Sequence, residues 1–154
     1  LKNYCHYKIW STNKKFTEIK KKNNVGSFIL VKAFEQPVTR NKLAKIYIVK
    51  FSNEIIYVGI ASQSMRARLW NGFQASGKNG YHGYRWKGIS SFELLIWCFP
   101  GKDLKDVEGV EAELVYLIRH DTGAWPKYQS EIHFHQATEH SKKIAAGIYK
   151  EISG

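Results

Sequence analysis

Cysteine is nearly absent. Cys5 and Cys98 are far apart and sit in no C-x-x-C pair, which argues against a zinc ribbon or a disulfide framework and leaves two reduced thiols as the expectation. Long apolar runs are missing too. No stretch approaches the roughly eighteen residues of a membrane-spanning helix. The first residues, Leu1-Lys2-Asn3-Tyr4, lack the apolar core of a secretory leader, so a cytoplasmic protein is expected. Proline is rare and scattered, and neither an internal repeat nor a low-complexity linker divides the chain. With 154 residues, 44% of them hydrophobic and 14% aromatic, the chain can bury one core, and a single domain over 1–154 is expected.

Acidic residues are also scarce. Thirteen Asp and Glu face 24 Lys and Arg, a formal net charge of +11, which is the footprint of a polyanion binder. The excess is uneven. Residues 1–45 hold ten Lys and one Arg against Glu18 and Glu35, a net of +9, while residues 46–154 carry +2. Aromatics are interleaved with the lysines (Tyr4, Tyr7, Trp10, Phe16), a mixture that suits nucleic acid better than a membrane surface. Residues 1–44 therefore read as a basic, DNA-contacting segment. The bland alternative is a solvated basic face.

The run 27–34 (SFILVKAF) reads as a strand. Residues 45–51 (KIYIVKF) and 54–60 (EIIYVGI), separated by Ser52-Asn53, read as a β-hairpin. A helix follows, capped by Ser62 or Ser64, with Met65, Leu69, Trp70 and Phe73 at helical spacing. Residues 74–91 are Gly-rich and polar, and read as an active-site loop rather than core. Residues 92–99 (FELLIWCF) form another strand. Asp103 caps a long helix to His120 with Val107, Val110, Leu114, Leu117 and Ile118 as its stripe. A last helix spans Thr138 to Ile152, carrying Ile144, Ile148 and Ile152. The layout is α+β, a small antiparallel β-sheet flanked by helices.

The hairpin carries Ile46-Tyr47 on one strand and Tyr57-Val58-Gly59 on the other, and an Arg-bearing helix follows. From about Lys45 to Gln129 this arrangement resembles the GIY-YIG nuclease family, with Lys45 standing where the family has its first glycine. The family's helix Arg corresponds to Arg68 in Arg68-Leu69-Trp70, one residue further along than usual, with Arg66 as the fallback. The His or Tyr from the following loop corresponds to His82. The metal-binding Glu corresponds to Glu111, before Leu114-Val115, with Glu113 as the alternative. Pro126-Lys127-Tyr128-Gln129 matches the closing P-x-x-N element with Gln for Asn, and the segment through Glu131-Ile132-His133-Phe134 resembles the restriction-endonuclease branch.

Phosphodiester hydrolysis needs a proton acceptor for water, a cation for the phosphoryl oxygens and help for the leaving oxygen. A phenol, with a reference pKa near 10, serves as a base only when a metal or neighbouring cation depresses it, and Tyr47 beside Arg68 is expected to meet that need. The resemblance implies Tyr47 as general base or water-orienting group, Tyr57 positioning water or phosphate, and Arg68 stabilising transition-state charge. It further implies Glu111 holding Mg²⁺ (or Mn²⁺), and His82 assisting Tyr47 or the leaving group. Arg66, Lys78, Tyr84, Arg85, Lys87 and Gln129 are expected DNA contacts. His133 and His135 are two ligands without a third, and are left out of the metal site.

The function expected is a metal-dependent endonuclease for double-stranded DNA, sequence-specific and of restriction type, with a homodimer as one way to cut both strands. A structure-selective repair or recombination nuclease is the alternative within enzymes. A non-catalytic DNA-binding protein on the same fold, or an RNA-binding module, is the alternative outside them.

Overall fold

The computed structural model describes residues 3–129 and 138–153. Its centre is a six-stranded sheet. The strands are β1 (Tyr4–Thr12), β2 (Lys15–Lys22), β3 (Phe28–Val31), β4 (Lys45–Phe51), β5 (Glu54–Ala61) and β6 (Ser91–Cys98). They lie in the order β3-β2-β1-β6-β4-β5, every neighbouring pair antiparallel. Three helices, α1 (Met65–Gln74), α2 (Leu104–Thr122) and α3 (Glu139–Ser153), complete the described elements. The expected antiparallel sheet flanked by helices is therefore present. Among the described residues no helix is long and apolar enough to cross a membrane.

The N-terminal lysines conceal a hairpin, β1–β2, within the segment expected only as a basic stretch. β1 alternates strictly, with Cys5, Tyr7, Ile9 and Ser11 buried on one face and their neighbours less so, the period-2 pattern of a strand. Asn13 and Lys14 turn the chain with φ of 51° and 63°, the positive values that a two-residue hairpin requires. Tyr7 is fully buried and Phe16 packs on the same cluster, while Tyr4 stacks on Trp97 with centroids 4.2 Å apart. Of the four aromatics expected to meet nucleic acid, Trp10 alone is left flanked by cations, with Lys8 and Lys20 each 5.3 Å from its ring centroid.

β3 is shorter than the expected run 27–34. It pairs with β2 only from Ile19↔Val31 to Lys22↔Phe28. Beyond it Phe34 leaves the ladder and packs edge-on against Tyr7 at 5.0 Å. The β4–β5 hairpin has its expected limits, extended by Ala61, and Ser52-Asn53 adopt φ of 49° and 63° at its turn.

Both faces of the sheet are covered. On one, Val107, Val110, Leu114 and Ile118 of α2 and Ala145, Ile148 and Ile152 of α3 pack on Ile46, Ile48, Val58 and Leu95. On the other, Met65, Leu69 and Phe73 of α1 join Tyr7, Ile9, Tyr47 and Leu94. α1 starts at Ser64, whose Oγ accepts from the Ala67 N–H at 3.2 Å. Its buried stripe is Met65, Leu69, Gly72 and Phe73. Trp70, expected within that stripe, is 48% exposed because it lies a full 100° step past Leu69. α2 opens with an Asp103–Asp106 capping box and closes at Gly123 with φ 82°.

The loop between α1 and β6 departs furthest from expectation. Residues 74–91 read as polar loop, yet Tyr84 and Trp86 are 4% and 1% exposed and belong to the core. They stack at 4.4 Å, and Trp86 also meets Phe73 and Phe92.

Candidate active site

β4 and β5 bring Tyr47 opposite Gly59. A Cβ on Gly59 would lie 2.5 Å from Cζ and Oη of Tyr47, so glycine there lets the Tyr47 ring lie across the neighbouring strand. The Tyr47 and Tyr84 hydroxyls are 2.8 Å apart. Tyr57 completes a triangle of rings, with centroids 5.9 Å from Tyr47 and 5.4 Å from Tyr84.

The loop delivers Tyr84 through a second close approach. Tyr84 donates its backbone N–H to the Gly72 carbonyl at 3.1 Å, and a Cβ on Gly72 would stand 2.1 Å from its ring. Gly83, at φ 74°, is pressed against the same carbonyl. A helix-interior glycine costs about 1 kcal/mol relative to alanine, and the space it leaves is filled by Tyr84.

Arg68 reaches this cluster from α1. Its guanidinium lies 4.7 Å over the Tyr84 ring, and Nη1 donates to the Tyr81 hydroxyl at 2.8 Å. The planar fork is thus held by an aromatic face and a hydroxyl, with its charge permanent.

Tyr57, Tyr81, Tyr84 and Arg68 border an open cleft of about 420 Å³. Tyr57, Arg68, His82, Tyr84, Arg85 and Glu111 are among its lining. Tyr47 is not, because it is fully buried behind Tyr57 and Tyr84. Burial, reinforced by Tyr84 and Tyr57, pushes the Tyr47 phenol well above its ordinary value, with Arg68 opposing. Burial likewise raises Tyr57, against hydrogen bonding to Tyr47 and the Arg68 charge. The expectation that Arg68 depresses the Tyr47 phenol is therefore corrected: the cation acts in the expected direction, and desolvation outweighs it.

Glu111 and Glu113 separate in space. Glu111, on α2, is 7% exposed and lines the cleft at the edge of β5. Glu113 is half-buried and outside that lining. Among the described residues no group of three His, Cys, Asp or Glu could form a metal cage. One carboxylate suits Mg²⁺, which keeps several waters and takes other ligands from a substrate phosphate; it does not suit tetrahedral zinc.

The remaining expected residues fall into two groups. Arg66, Lys78 and Arg85 are exposed cations, Arg85 on the cleft and Lys78 on the hollow beside it. His82 is exposed at the cleft rim, with Gly77 making room for its imidazole. Lys87 and Gln129 brace the site. Lys87 donates to the Ala75 and His82 carbonyls, each at 2.8 Å. Gln129 accepts from the Val58 N–H at 3.0 Å and donates to the Val58 carbonyl at 2.9 Å, clamping the edge of β5. Residues 131–135, including His133 and His135, lie outside the described residues.

Lys45, at the start of β4, is wholly buried. It donates to the carbonyls of Arg40, Leu43 and Gln63 at 2.9, 2.5 and 2.6 Å. Burial lowers its ammonium to about 8. It ties the approach to β4 to the residue preceding the α1 cap.

Tyr81 as the partner of Arg68, and Tyr84 as the partner of Tyr47, were not foreseen in those roles. Gly72 was the available signal, since a glycine inside a helix marks a close approach. Compared with known proteins, the chain matches no family model, no curated protein and no solved structure.

Proposed function

We propose that this chain is a metal-dependent endonuclease of GIY-YIG type that hydrolyses the phosphodiester backbone of double-stranded DNA, most simply as a sequence-specific restriction enzyme. The observation that carries the reading is the convergence of Tyr57, Arg68, His82 and Glu111 on one cleft, with Tyr47 hydrogen-bonded to Tyr84 directly behind it. These residues come from β4, β5, α1, α2 and a loop, and a purely structural role gives no reason for them to meet at a solvent-open hollow.

Arg68 binds the scissile phosphate and stabilises the charge that grows on its oxygens. Tyr57, exposed to the cleft, orients the attacking water through its hydroxyl. Tyr47 keeps its proton and fixes Tyr84 and Tyr57 rather than meeting water itself. His82, at the rim, would protonate the departing oxygen. Glu111 would hold Mg²⁺ or Mn²⁺, which supplies Lewis acidity and lowers the pKa of bound water. Arg85 and Lys78 extend the cationic surface along the DNA.

Cleavage of plasmid DNA by the full chain with Mg²⁺, beside Glu111→Ala, Glu113→Ala and chelator controls, tests this reading. Discrete fragments lost with Glu111→Ala and with chelator, and kept with Glu113→Ala, support it. A wild-type protein that binds DNA and leaves it intact across metals and sequences overturns it in favour of a binding module. Cleavage confined to branched or flapped substrates would make the activity structure-selective.

A further inference from the structure

A second hollow, of about 610 Å³, adjoins the cleft and shares Arg68 and Tyr81 with it. It runs along the exposed side of α1 and has a different chemistry. Gln63, Asn71, Gln74 and Asn79 contribute four carboxamides, Lys78 a cation, and no carboxylate lines it. On α1, Arg68 and Asn71 fall at i and i+3 and so share a face, distinct from the buried stripe of Met65, Leu69, Gly72 and Phe73.

The carboxamides differ in how they are held. The Gln74 Nε2 donates to the Lys14 carbonyl at 2.7 Å, which ties the β1–β2 turn to the end of α1 and fixes that side chain. Among the described residues the side chains of Gln63, Asn71 and Asn79 make no hydrogen bond within the protein. A carboxamide presents one donor and one acceptor side by side, the pattern that meets N6–H and N7 of adenine in the major groove. Lysine reads phosphate without regard to sequence, and a carboxylate would repel the backbone. The exposed face of α1, a helix of 10 residues, also suits a groove roughly 12 Å wide.

We infer that this hollow is a base-reading subsite for duplex DNA, in which Asn71 and Gln63 contact base edges, adenine above all, next to the phosphodiester held at Arg68. The inference rests on the DNA-cleaving reading of the neighbouring cleft and assigns its sequence specificity to α1.

The test is affinity selection of the full chain against a randomised duplex pool without divalent metal, for the wild type, Asn71→Ala and Gln63→Ala, with plasmid cleavage measured in parallel. The wild type should enrich adenine-bearing sequences at fixed positions. Each variant should lose about 10-fold of preference at one position while its melting temperature and its affinity for random duplex stay close to wild type. Wild-type protein that enriches no motif, variants that enrich the wild-type motif unchanged, or binding confined to RNA each overturn the inference. A motif altered by Asn71→Ala with no cleavage by the wild type retains the subsite and removes the nuclease reading; cleavage with an unaltered motif does the reverse.

Discussion

Burial decides what each side chain of the cluster can do. Tyr47 is fully buried and its phenol is raised by desolvation, so at neutral pH it is a hydrogen-bond donor or acceptor and not a free base. The two glycines beside the tyrosines are equally constrained. Gly72→Ala would ordinarily stabilise a helix by about 1 kcal/mol. Here the added Cβ meets a ring that is stacked on Trp86 and bonded to Tyr47, and overpacking of this kind costs about 1–3 kcal/mol. Gly72→Ala should therefore lower the melting temperature and reduce cleavage together; a rise in melting temperature would contradict the placement of Tyr84. His6 supplies a pH dependence. Burial lowers its pKa despite the 2.8 Å bond to Glu93, so the unfolded chain binds the proton more readily than the folded one. Its contribution is complete above the unfolded value of about 6.5 and is lost as pH falls below it. Thermal melting between about pH 7.5 and about pH 5.5 should show a smaller acid destabilisation in His6→Gln than in the wild type.

Elements with a clear period were legible in the sequence, and those whose partners are distant were not. The β4–β5 hairpin, α1, α2 and α3 stand close to their expected limits because alternation, caps and turn residues are local signals. The β1–β2 hairpin was hidden by lysines at Lys8, Lys14-Lys15 and Lys20-Lys21-Lys22, which dominate the charge pattern while Cys5, Tyr7 and Ile9 carry the buried face between them. The segment before residue 130 is an element in all but name, since the Tyr128 N–H donates to the Ile56 carbonyl at 2.9 Å and Gln129 brackets Val58. Gln129→Leu leaves the Val58 N–H and carbonyl without those partners. It should cost roughly 1–3 kcal/mol, read by chemical denaturation, with faster amide exchange at Val58. Unchanged exchange there would show that the clamp does not hold the strand.

At the scale of the molecule, the basic N-terminal segment is part of the fold rather than an appended arm. β1, β2 and β3 form half of the sheet's strands, and Tyr7 and Ile9 share a core with Tyr47 and Leu94. The residue types of the candidate site and their order along the chain were legible from Tyr47 to Gln129. Their depth was not, because nothing local tells that Tyr47 sits behind the cleft while His82 sits at its rim. That Glu111 and not Glu113 lines the cleft likewise follows only from how α2 packs on β5. On the nuclease reading, one cleft per chain would cut one strand at a time, so cleavage of both strands would call for two copies on the DNA or two successive nicks. The most direct measurement is the cleavage rate and the DNA affinity of Arg68→Ala, side by side with the wild type and Mg²⁺. The nuclease reading predicts active wild-type protein and a variant whose cleavage falls about 10²–10³-fold with affinity within about 10-fold. Wild-type protein that binds DNA without cutting it, or a variant that cuts as fast as the wild type, would contradict it.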